Sequence, residues 1–162
     1  MSAPAHHGTD LLIGTSLDAA ALCDVLAATL PVRREDIFLT EVVGTWSDAC
    51  LAAFGSRNVV QVHALLQPAN LTFKADLEFT HPIPIRALQA LADTGGCTVA
   101  LDRQIVFPDE IGCPSGEGYV IFQPGQPPRS GALRERGEDD DLVFDWVPTD
   151  DPLPPLPDDS RS

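Results

Sequence analysis

The sequence predicts an α+β protein: a mostly antiparallel sheet of about five to seven strands, two main helices on one face, and an acidic, proline-rich C-terminal tail. Three observations lead there. Residues 71–80 alternate apolar and polar side chains without a break. Two stretches, Leu17 to Leu30 and Ile85 to Ala92, carry apolar residues at helical spacing. Strand-like apolar runs flank both, in the order β-α-β and then β-β-α-β-β.

Residues 1–9 read as a flexible N-terminus, and residues 10–123 as one α+β domain. Leu11-Leu12-Ile13 suits a short buried strand. Ser16 offers an N-cap to the first helix, and Pro31 ends it. Residues 36–43, rich in Ile, Phe, Thr and Val, read as a strand. Residues 44–57 fit either a two-turn helix or a further strand. Residues 58–66 read as a strand forming a hairpin with 71–80 across Gln67-Pro68-Ala69-Asn70.

In 71–80, Leu71, Phe73, Ala75, Leu77 and Phe79 define a buried face. Each large member contributes about 1.5–3 kcal/mol on burial. The opposite face, with Lys74, Asp76 and Glu78, is expected to be wet. Pro84 starts the second helix and Gly95-Gly96 ends it. Residues 98–101 and 104–107 read as a strand or a broken strand pair, 108–116 as a loop, and 118–123 as the last clear strand. The simplest arrangement of this order is ferredoxin-like or a related α/β sandwich.

The tail is assigned to 124–162. It holds eight of the 15 prolines and the run Asp139-Asp140-Asp141. Proline removes backbone donors and like charges repel, so long regular elements are disfavoured there. One segment, 142–147, is too apolar for a linker and either docks as an edge strand or presents Phe144 and Trp146 to a partner.

Charge narrows the function. The 162 residues carry a net −14, with 24 acids against 10 bases. Residues 1–123 account for −8 and the tail for −6. Such a chain is poorly suited to a phosphate backbone or an anionic membrane surface. No stretch reaches the length of a membrane span. No nucleotide-binding motif occurs, and Cys23, Cys50, Cys97 and Cys113 lack zinc-ligand spacing. No cofactor and no metal are expected, and a reducing cytoplasm is the default reading for the cysteines.

The chemistry-bearing candidates are few. His6 and His7 read as a solvated end, and His63 as a surface or half-buried strand residue. His81 precedes Pro82 at a strand-to-helix junction. Cys113 lies in a Gly/Pro loop beside Asp109, Glu110 and Glu117, whose charges raise a thiol's pKa rather than lower it.

The expectation is therefore a non-catalytic module that binds a basic protein partner through carboxylates. An immunity-type inhibitor of a toxin is the leading form of it. The partner-binding candidates are Asp76, Glu78, Asp109, Glu110, Glu117, Phe144 and Trp146. Two alternatives stand beside it: a small cysteine-dependent enzyme using Cys113 with His81 or His63, and an adaptor acting through its tail.

Overall fold

A computed structural model of the chain describes residues 7–40, 57–65, 70–80, 83–107, 118–136, 143–150, 152–154 and 156. The chain is α+β. One sheet of eight strands runs in the order β2-β3-β4-β1-β5-β6-β7-β8. The strands are β1 (His7–Gly14), β2 (Ile37–Thr40), β3 (Val59–Ala64), β4 (Phe73–Phe79), β5 (Thr98–Asp102), β6 (Gly118–Phe122), β7 (Arg129–Arg136) and β8 (Val143–Pro148). Every pairing is antiparallel except β2 with β3. Two helices, α1 (Ala19–Thr29) and α2 (Ile85–Gly95), pack on one face. The four strands β3-β4-β1-β5 with these helices have ferredoxin-like connectivity. To that core, β2 adds one strand on one side and β6-β7-β8 add a meander on the other.

Local chemistry explains the elements. Asp18, not Ser16, caps α1: its carboxylate accepts from the Ala21 N–H at 2.8 Å. Ser16 lies too early, because Leu17 must still reach the core before the helix begins. Gly96 ends α2 with φ 62°, a left-handed conformation that favours glycine, and the Cys97 N–H bonds back to the Ala92 carbonyl at 3.1 Å. The helix-side core takes Leu11 and Ile13 from β1, Val60 and Val62 from β3, Phe73 to Phe79 at odd positions of β4, and Val99 and Leu101 from β5. Leu22 and Leu26 of α1 and Leu88 and Leu91 of α2 close it from above.

Residues 104–107 do not form a strand. Arg103–Val106 is a single helical turn, α3. A strand would send Val106 and Phe107 to opposite faces. The turn instead buries both and leaves Ile105 at the surface.

The sheet also runs on past residue 123, where the sequence leads one to expect a tail. β7 and β8 lie within it, and β8 takes its outer edge. Beyond β8, Arg103 donates to the Pro152 carbonyl at 2.7 Å and to Ser130 Oγ at 3.2 Å. Leu153 packs on the helix-side core.

The second face carries a smaller apolar cluster. Leu71, Ala100 and Ile121 are buried there, with Leu12, Leu65, Tyr119, Leu133 and Trp146 packed around them. Leu71 therefore does not share the Phe73 face, because the backbone crosses the sheet before β4 begins. At that crossing the Asn70 carbonyl passes directly against Gly14. The Asn70 side chain then meets the β8 backbone, donating to the Trp146 carbonyl at 2.8 Å and accepting from the Trp146 N–H at 2.9 Å. Its own N–H donates to Asp145 at 3.1 Å. The side-chain amide thus takes the part a neighbouring strand would play and covers part of the β8 edge. Asn70→Ala removes both side-chain bonds. It is expected to cost about 1–2 kcal/mol in urea unfolding and to speed amide exchange at Trp146.

Candidate functional site

Away from the apolar cluster, the second face of the sheet turns polar over β3, β4 and β1. Strand alternation sends Gln61 and His63, then Lys74, Asp76 and Glu78, then Asp10, to this face while their neighbours fill the helix-side core. Register sets them side by side. Gln61, Asp76 and Asp10 are direct cross-strand partners in one row, and His63, Lys74 and Leu12 in the next.

The centre of this patch is dry and its rim is wet. His63 is fully buried and Asp76 is 7% exposed. Lys74 and Glu78 are half-buried, whereas Asp10 and Asp102 are exposed. His63 Nε2 lies 2.8 Å from Asp76 Oδ2. An ionised carboxylate only accepts, so with Asp76 charged this nitrogen carries the proton. Lys74 Nζ is 3.4 Å from Asp76 Oδ1 and 3.8 Å from Asp10 Oδ2.

Electrostatics divide the two carboxylates. Burial alone would raise Asp76, but hydrogen bonds from Asp10 and His63 and the charge of Lys74 hold it below the usual value. Asp10 moves the other way, to about 6, first through the partial desolvation of its carboxyl at the rim and then through its bond to Asp76, with Lys74 opposing.

Asp76 is thus not the wet carboxylate expected of an even strand position. It sits mid-sheet and is buried, with His63 satisfying one of its oxygens. Glu78, on the same face, is half-buried. Trp146 is half-buried against the apolar cluster, and Phe144 lies in β8. Asp109, Glu110, Glu117, Cys113 and His81 lie outside the described residues.

Cys23 and Cys97 are buried free thiols, and burial pushes both upward from the ordinary thiol value. Neither is activated for attack. Among the described residues no group of three or more His, Cys, Asp and Glu is placed to hold a metal ion. In the patch itself the Lys74 ammonium lies near both carboxylates. No helix among the described residues is long and apolar enough to cross a membrane.

Asp10 was not singled out by the sequence. It stands alone before an apolar run, and only the register with β4, more than sixty residues later, brings it to Asp76. Comparison with protein-family models, with curated proteins and with solved structures returned no match for this chain.

Proposed function

We propose that this chain is a non-catalytic acidic binding module whose carboxylates engage a basic protein partner, an immunity-type inhibitor of a toxin being its leading form. The observation that carries this reading is the polar sheet face. Asp10, Asp76 and Glu78 share it over two adjacent strands, with Lys74 and His63 as the cationic or titratable groups among them. Asp102 follows on β5, one residue past the Leu11–Leu101 pair. The helices pack on the opposite face, and on this one the accessible carboxylates are at the rim: Asp10 and Asp102 are exposed and Glu78 is half-buried. Carboxylates on a face of a chain at −14 steer a basic surface toward it and speed encounter.

The test is co-expression with the product of the gene beside its own, followed by binding kinetics. The pair Glu78→Lys and Asp102→Lys should slow association about tenfold or more at low salt, with a weaker salt dependence than the parent. An unchanged association rate, or no complex at all, rejects the reading. A cut at residue 123 would not separate body from tail, because it removes β7 and β8. Charge reversal on the sheet face makes that separation without touching either strand.

A further inference from the structure

Two carboxylates placed as direct cross-strand partners repel unless something intervenes. Asp10 and Asp76 are so placed. His63 satisfies one oxygen of Asp76. The other, Oδ1, is buried and has no donor while both carboxyls are ionised. Lys74 Nζ, 3.4 Å away, lends charge to it but no aligned bond. A buried acceptor without a donor is costly, and the side chain opposite becomes a donor on taking up a proton.

We propose that Asp10 and Asp76 hold one proton between them, with the Asp10 hydroxyl donating to Asp76 Oδ1, so that the polar sheet face loses an internal bond and gains a charge when that proton leaves. The described groups facing the pair are His63 and Gln61 on β3, Lys74 and Glu78 on β4, and Asp102 on β5. Lys74 opposes protonation, while Glu78 and Asp102 favour it. His63 engages Asp76 from the side away from Asp10.

The directions for the two acids agree with this geometry. Asp10 is raised from 3.8 to about 6, and Asp76 is lowered. The sign follows by linkage. A raised folded pKa stabilises at low pH, and that contribution is lost as pH climbs from about 4 through 6. A lowered one stabilises above the ordinary carboxylate range and is lost as pH falls through the folded value. The pair therefore favours the fold most between about 4 and 6, where it holds a single proton. The Asp10 side chain is 61% exposed, so water screens part of the effect. That a basic partner would meet one charge more at neutral than at mildly acid pH rests on the binding reading above, but the proton pair does not.

Asp10→Asn tests the pair, because an amide N–H donates at every pH. Its melting temperature should match the parent at pH 4.5 and exceed it by about 2–4 °C at pH 7.5. Glu78→Gln removes a charge from the same face without a carboxylate partner in register, and it should give less than half that pH-dependent gain. An equal shift at both pH values, no shift at pH 7.5, or the same gain from Glu78→Gln overturns the proposal. Carboxyl NMR titration of the unaltered chain decides it independently of any variant. An Asp10 midpoint near 6 with Asp76 below the ordinary value supports a shared proton, and two ordinary aspartate midpoints overturn it.

Discussion

Gly14→Ala is expected to lower stability by about 3 kcal/mol, a large loss for the addition of one methyl group. A Cβ at Gly14 would lie 2.0 Å from the Asn70 carbonyl oxygen and 3.2 Å from its carbon. These are backbone atoms, so no rotamer change relieves the overlap. Asn70 is tied from several sides: its N–H is held by Asp145 and its side chain by the Trp146 backbone. Next to it, the Thr72 N–H is held by the Ile13 carbonyl at 2.8 Å. Relief therefore requires the crossing segment to leave the sheet and release β8. Urea unfolding measures the loss, and hydrogen exchange should show β8 opening in the variant well before β4. A loss under 1 kcal/mol would mean that the crossing segment yields without breaking these bonds.

Arg103→Ala should cost about 3 kcal/mol or more, since hydrogen bonds from a charged donor contribute about 1.5–3 kcal/mol each. Arg103 is 3% exposed and reaches three places at once. It bonds Ser130 in β7 and the Pro152 carbonyl beyond β8, and it lies 5.9 Å from the centre of the Phe107 ring. Truncation removes these contacts and the packing of the aliphatic stem. Arg103→Lys keeps the charge but not the planar fork, so it should recover roughly half of the loss. Limited proteolysis adds a local readout: in Arg103→Ala, residues 149–156 should be cut faster while α2 stays protected. A stability within 1 kcal/mol of the parent would show that Leu153 and the β7–β8 ladder alone hold this segment.

The elements legible in the sequence are those whose order is encoded locally. The alternation across 71–80 marks β4 because each side chain reports its own face, and the Ile85, Leu88 and Leu91 stripe ending at Gly95-Gly96 marks α2 for the same reason. β7 carries no such signal. Arg129–Arg136 is mainly polar, with a glycine inside it, and is a strand because β6 and β8 pair with it on both sides. The prolines around it, read as a sign of extended tail, lie in the turn before β7, at the end of β8 and after it.

The site divides in the same way. Alternation correctly puts His63 with Gln61, and Asp76 with Lys74 and Glu78. It cannot say which of those faces meet. Asp76 reads as wet because a lone carboxylate gives no hint of a histidine one strand away, or of Asp10 on the other side. Those neighbours are set by inter-strand register, a property of three segments together and of none singly.

The position of β1 has a consequence for how the chain is made. Of the described strands it is the first to be synthesised, yet it belongs at the middle of the sheet, between β4 and β5. Its partners emerge later, Phe73 to Phe79 only after α1, β2 and β3, and Thr98 to Leu101 only after most of the helix-side core has been synthesised. Until then Leu11-Leu12-Ile13 is an apolar strand with two unpaired edges, open to chaperones or to a second nascent chain. Synthesis rate and chaperone supply therefore bear on the yield of folded protein, and substitutions in β1 should reduce that yield more than their effect on final stability would suggest.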